Sequence, residues 1–264
     1  MNETLIKYLA GLLDADGSLS LSFKPWESWF YVGLTLSLAS SDAVDKHGFV
    51  SSLPQLTGMG LVYRDGTRRQ FVSWRISKRA DLEMLLPRLI KHMVIKAKHW
   101  QWLLDEWRRR RSDTECSAEE RAELQAASKA SRRNVGPLKP KNHPTWAWLA
   151  GYLDGDGWYS CYSNVCKGYE QWTIHVGAVA HTNDALVLEF LQKAFGGIIR
   201  PHGQSEGVLI WRRSLGHNNC SFALRFLPNV AKHSHLKRAK IDAIIHHHRQ
   251  RLSVRGTEQV QATV

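Results

Sequence analysis

Two acidic pairs in the 264-residue chain, Asp14-Ala15-Asp16-Gly17 and Asp154-Gly155-Asp156-Gly157, occupy positions that helix chemistry alone does not favour. Each closes an apolar, helix-forming run: Leu9-Ala10-Gly11-Leu12-Leu13 in one copy, Leu149-Ala150-Gly151-Tyr152-Leu153 in the other. A carboxylate at the C-terminal end of a helix faces the negative end of the macrodipole. Gly11 and Ala15 share one helical face, as do Gly151 and Gly155, and such small faces let two helix backbones approach closely. Packed together, the two copies would bring Asp16 and Asp156 side by side, and like charges at that range resist ionisation. A divalent cation resolves the conflict, and a set of hard oxygen donors suits Mg²⁺. Asp14 and Asp154 point to another helical face and read as caps of turns or helix ends.

The elements that must position these acids follow from periodicity. Residues 4–13 read as a short helix with Thr4 as N-cap and Gly17 as terminator, and Thr145 stands at the same offset before the second copy. After Gly17 the pattern turns to alternation. Ser18, Ser20, Ser22 and Lys24 share one face, with Leu19, Leu21 and Phe23 opposite. Beyond a turn at Pro25-Trp26-Glu27-Ser28, Tyr31, Thr35 and Ser37 face away from a core row of Phe30, Val32, Leu34, Leu36 and Leu38. A helix from Ser41-Asp42 toward residue 56, a hairpin turning at Asp65-Gly66, and helices over 80–91 and 94–110 complete the first unit. Arg75 and Ser77 lie on the polar face of that hairpin, with Arg64, Arg68 and Arg69 near its rim.

The second half repeats the order. Trp158, Ser160, Tyr162 and Asn164 alternate with Tyr159 and Cys161, and residues 169–179, with Thr173 and His175, form the partner strand. A helix runs from about Asp184 to Phe195, strands fall around 207–213 and 220–227, and a last helix covers about 234–250. Arg200, Arg212, Arg213 and Arg225 fall near the rims of this second sheet. The fold class is α+β: two pseudo-symmetric αββαββα repeats, each an antiparallel, saddle-shaped sheet with one face on helices and one polar face free, packed through the motif helices. The repeats occupy 1–110 and 145–255, a linker 111–144 and a tail 256–264. Within the linker, 117–130 reads as a polar helix between basic ends that suit either phosphate contact or a solvated tether.

A formal charge of +12 and a pI near 9.7 favour a polyanionic partner. Eleven tryptophans sit mostly in apolar alternations and read as core. The four cysteines show no Cys-x-x-Cys spacing, which argues against zinc and for a reducing, intracellular setting, whether bacterial cytoplasm or organelle. No run has the length of a membrane span and the N-terminus lacks a secretory pattern.

The duplicated stretch resembles the signature of the LAGLIDADG homing endonucleases in their single-chain, two-motif form. Both copies keep Ala-Gly at the second and third positions and Asp-x-Asp-Gly at the end. Leu13 and Leu153 replace Ile, Tyr152 replaces Leu, and Gly155 replaces Ala, none of which removes an acid. The resemblance implies a monomer that binds double-stranded DNA and cuts both strands by Mg²⁺-dependent hydrolysis, leaving short 3′ overhangs. Asp16 and Asp156, with backbone oxygens of Ala15 and Gly155, would hold two or three ions. Lys96 and Lys237, which follow the acids in register, correspond to the basic residue near the metals; as residues alone they also admit the second reading of solvated helix charges. Ser40 and His181, at the ends of the second strands, correspond to a polar residue that orders water, or simply open helices. Proteins of this kind also include intron-RNA maturases and DNA-binding regulators, so both alternatives stand beside cleavage.

Overall fold

A computed structural model describes residues 1–26, 29–41, 48–65, 71–110, 115–132, 144–166, 169–203, 205–215 and 220–261. In the first half, α1 (Glu3–Ala15) leads into the strands β1 (Gly17–Trp26) and β2 (Trp29–Ser41). α2 (Phe49–Thr57), the strands β3 (Leu61–Asp65) and β4 (Phe71–Ile76), and the helices α3 (Arg79–His92) and α4 (Ala97–Arg110) follow. A short strand β5 (Glu115–Cys116) and α5 (Ala118–Arg132) precede the second half. There α6 (Trp146–Asp156), β6 (Gly157–Cys166) and β7 (Tyr169–His181) are followed by a 3-10 turn at Thr182–Asp184 and by α7 (Leu186–Phe195). β8 (Ile198–Pro201), β9 (Val208–Leu215), α8 (Cys220–Ala231) and α9 (Arg238–Gln261) complete it.

The two sheets have the same order, β1-β2-β4-β3 and β6-β7-β9-β8, with antiparallel pairing throughout. Their long hairpins share a register: Gly17 opposes Leu38 as Gly157 opposes Ala178. Alternation explains which face is buried. Leu34, Leu36, Leu38, Trp74 and Ile76 are sealed under helices in one half, and Tyr159, Ile174, Val176, Ala178 and Trp211 in the other. This is the expected α+β architecture.

α1 and α6 pack along their small faces. A β-carbon added at Gly11 would overlap the Trp148 carbonyl, and one at Gly151 the Tyr8 carbonyl. The backbones therefore touch, and only glycine permits it at either position.

Several boundaries differ from expectation: Ser41, read as opening a helix, ends β2, and α2 begins at Phe49. The cap of α1 is Asn2, whose Oδ1 accepts the Thr4 N–H at 2.9 Å, because the helix starts before Thr4. Thr145 does cap α6, accepting from the Trp148 N–H at 3.2 Å. The stretch read as a strand at 220–227 is the helix α8, and the outer strand of the second sheet is β8 instead. Phe226, Leu227, Val230 and Ala231 are buried at helical spacing, a pattern that a short apolar run does not separate from a strand. The internal repeat carries the missed signal: Leu86-Pro87 and Leu227-Pro228 are each followed at the same offset by Lys-His, and both prolines lie inside helices. The last helix, α9, begins at Arg238 and continues to Gln261.

Part of the stretch between the halves folds onto the first. Cys116 is buried where β5 pairs with β2, His99 Nδ1 and Ser131 Oγ lie 2.7 Å apart between α4 and α5, and Arg121 lies over Phe23.

Candidate active site

The C-terminal ends of α1 and α6 leave carbonyls short of donors, as every helix end does, although the Asp16 and Gly157 N–H groups reach Leu13 and Leu153. Two lysines supply further donors. Lys96 Nζ donates to the carbonyl oxygens of Leu13, Ala15 and Gly17 at 3.0, 3.0 and 2.9 Å. Lys237 Nζ donates to Leu153, Gly155 and Gly157 at 2.9, 3.2 and 2.5 Å. All three ammonium protons are used in each case. Burial pulls both lysines below their ordinary pKa, while Asp14 beside Lys96 and Asp154 beside Lys237 oppose that shift. They are thus not solvated helix charges. The carbonyls of Ala15 and Gly155, expected as metal ligands, carry these bonds and would offer a cation only their second lone pair.

Asp14 and Asp154 are buried at 3% and 2% exposure and cap the segment that carries the lysine of their own half. Asp14 accepts from the backbone N–H of Val94 at 2.7 Å and of Lys96 at 2.8 Å. Asp154 accepts from His235, Leu236 and Lys237 N–H and from Ser234 Oγ. Their reading as caps holds. Burial raises the Asp14 pKa against the pull of those amides.

Asp16 and Asp156 emerge together where the helices meet: a β-carbon at Gly155 would stand 2.9 Å from Asp16 Oδ2. Asp16 keeps accessible surface, yet burial of its carboxyl raises its pKa, against Lys237 and Lys96. Burial, then the Asp16 charge, push Asp156 up to about 7. Lys96 and Lys237 act on both acids but do not offset their burial, and a hard divalent ion supplies the remaining positive charge. Among the described residues no three or more His, Cys, Asp or Glu side chains cluster at metal-binding range. Two carboxylates with water and phosphate completing the shell is a familiar arrangement for Mg²⁺.

A cleft of 270 Å³ opens beside Asp16, lined also by Ser40, Ser41, Gly155 and Lys237 over apolar Leu12, Leu38, Val50 and Phe71. Ser40 therefore joins the site, with its Oγ donating to the Ser41 carbonyl at 3.3 Å. His181 ends β7 at the matching place, but its Nδ1 accepts the Asn183 N–H at 3.3 Å and so caps the 3-10 turn. That turn carries Asp184, which in the sequence reads only as a helix start. Its charge acts on Asp156 and Lys96, and burial raises its pKa. No counterpart signal in the first half pointed to it.

The free sheet faces differ between halves. In the first, Ser18 and Ser37 share a 2.7 Å hydrogen bond, with Ser20, Ser22 and Thr35 half-buried along the hairpin. At the equivalent place in the second, the Trp158 indole lies against Gly177, where any β-carbon would overlap it. Ser160 and Thr173 stand half-buried nearby, and Tyr162 stacks on His175 with centroids 4.6 Å apart. Burial, then Arg212, lower the His175 pKa, and its Nδ1 lies 2.9 Å from Ser214 Oγ.

The basic residues divide. Arg75 is exposed over the Tyr63 ring at 5.0 Å, Arg212 opposes Gly177, and Arg200 and Ser77 are exposed. Arg64 instead reaches Ser51 Oγ of α2 at 3.4 Å on the helix side of its sheet. Arg213 follows the core residue Trp211 by one full alternation and lies against Gly196 at the end of α7. Arg225 stands on α8, not on a strand, so the strand-face argument no longer applies to it. Arg68 and Arg69 lie outside the described residues, as do the side chains of Lys24, Tyr31 and Asn164.

No family model and no curated protein matches the chain. Solved structures do. The LAGLIDADG homing endonuclease I-SmaMI, bound to cleaved DNA, aligns with a TM-score of 0.66 at 19% identity, covering 99% of this chain and 95% of that one. I-SmaMI bound to uncleaved DNA target in the presence of calcium ions aligns at 0.63 and 18%, covering 99% and 97%. The LAGLIDADG homing endonuclease I-GzeII in complex with its DNA target aligns at 0.68 and 14%, covering 96% and 94%.

Proposed function

We infer that this chain, which has the single-chain, two-motif LAGLIDADG fold, is a site-specific DNA endonuclease of the homing type. It acts as a monomer that makes a staggered double-strand break by Mg²⁺-dependent hydrolysis. The observation that carries the reading is the meeting of Asp16 and Asp156 at the joined ends of α1 and α6, where burial outweighs the pull of Lys96 and Lys237 and raises both carboxyls. The neighbours' own association with DNA, cleaved in one case and with calcium in another, supports it.

The residues divide the work as follows. Asp16 and Asp156, with the second lone pairs of the Ala15 and Gly155 carbonyls, would hold the cations. Bound Mg²⁺ supplies an activated water and Lewis-acid stabilisation of the leaving oxygen. Lys96 and Lys237 fix the carbonyls that flank the acids and would offset charge developing on the phosphate. Ser40, in the cleft beside Asp16, orders water in one half. His181 and Asp184 occupy the corresponding ground in the other, so the two half-sites are chemically unequal.

Each hairpin has a ten-residue strand at the groove side, which spans roughly 33 Å and, at ~3.4 Å per base step, roughly ten base pairs. Two unlike saddles in one chain therefore read on the order of twenty base pairs with no palindrome required. Serines of the first face suit hydrogen bonding to base edges; Trp158 and Tyr162 of the second present apolar surface.

A pool of duplexes carrying candidate sites, incubated with Mg²⁺, with Ca²⁺ and with chelator, tests the reading. Site-specific double-strand cuts in Mg²⁺ alone are expected. Tight binding with no cut in any metal would overturn it in favour of a maturase or a DNA-binding regulator.

A further inference from the structure

Each motif helix carries an aromatic donor just before the leucine that opens the repeated stretch, Tyr8 before Leu9 in α1 and Trp148 before Leu149 in α6. Each donor crosses to the other half. Tyr8 Oη donates to Asp154 Oδ2 at 2.7 Å, and Trp148 Nε1 donates to Asp14 Oδ2 at 2.9 Å. All four groups are buried. The acceptors are the same carboxylates that hold the backbone of the lysine-bearing segments, at 94–96 and at 235–237. A continuous chain of contacts thus runs from a helix of one half, through a buried acid of the other, to the lysine that clamps the end of that other motif helix.

We propose that Tyr8 and Trp148 are positioning residues, each setting the placement of the opposite half's lysine, Tyr8 that of Lys237 and Trp148 that of Lys96. The two cutting centres are thereby tied to correct closure of the α1–α6 interface. The proposal rests on the endonuclease reading for its effect on cutting, but not for its effect on the segments themselves.

The two links are unequal. Asp154 retains Ser234 Oγ and three amides when Tyr8 is removed, whereas Asp14 retains only the amides of Val94 and Lys96 when Trp148 is removed. Tyr8 also meets His235 edge to face at 4.6 Å, and His235 stacks on Phe49 at 4.5 Å, so the second-half segment has further support from the first half. Loss of the Trp148 donor therefore has the larger consequence.

Tyr8→Phe and Trp148→Phe in the full chain test this by two readouts. The first is single-turnover cutting of a duplex labelled on each strand. Trp148→Phe is expected to slow one strand by on the order of tenfold, and Tyr8→Phe to slow the opposite strand by about threefold, with nicked duplex accumulating and the affinity for uncut site in Ca²⁺ retained. The second is amide hydrogen exchange, which needs no cutting at all. Tyr8→Phe accelerates exchange at 235–237 and spares 94–96, and Trp148→Phe does the reverse. If both strands slow equally in each variant, or exchange at both segments is unchanged, the proposal fails. If the wild type itself does not cut, the endonuclease reading fails and the exchange pattern alone decides this one.

Discussion

At neutral pH Asp156 is divided between its acid and its carboxylate, because burial and the Asp16 charge push its pKa up to about 7 from an ordinary 3.8. A carboxyl whose pKa is higher folded than unfolded holds more protons in the folded state between those values. Its contribution to stability is full below the unfolded pKa and is lost as pH rises through 7. The metal-free protein is therefore expected to melt at a lower temperature at about pH 8 than at about pH 5.5. Asp16→Asn removes the like charge and is expected to raise the midpoint at the higher pH while flattening the difference. Thermal denaturation in chelator at both values checks this, and an Asp16→Asn variant no more stable than wild type at the higher pH would contradict it. Residues of this kind were legible because they recur: the acids and the lysines keep time across the duplication. Asp184 and the pair Ser40 and His181 were less so, since nothing in the first half pointed to Asp184 and the paired positions carry different side chains.

At the scale of elements, the lysines have a structural duty beside the chemical one. Each ammonium satisfies three carbonyls at a helix end. Lys96→Met keeps the stem and removes the donor that these carbonyls share, leaving Leu13 the Asp16 N–H, so it is expected to cost about 1–3 kcal/mol of stability. Urea denaturation measures it; an unchanged midpoint would show that Lys96 serves only the reaction. The clamp itself was invisible in sequence, because a lysine beside an apolar run reads the same whether it points to solvent or curls back on a helix end. The long hairpins were readable, since strict alternation over ten residues has one explanation. α8 was not, since its apolar residues fit both periods and only the matching Leu-Pro and Lys-His spacing of α3 separates them.

The whole molecule depends on how closely α1 and α6 approach. Helix propensity alone gives Gly→Ala a gain of about 1 kcal/mol. At Gly151 the new methyl would overlap the Tyr8 carbonyl, so Gly151→Ala is instead expected to lose about 1–3 kcal/mol or more. The sign of that change, read from chemical denaturation, tests whether the halves share one seam. Small residues four apart on each helix foretold this seam, while the side of the sheets on which Arg64 and Arg213 lie emerged only from the strand register.

The most direct test of the account compares wild type, Asp16→Asn and Asp156→Asn on one mapped duplex site in Mg²⁺, with each strand followed separately. The wild type is expected to cut both strands, and each variant to bind the site while losing double-strand cleavage by a factor of at least about 10². Undiminished double-strand cutting by either variant would show that the joined acids of α1 and α6 are not the centre of the reaction.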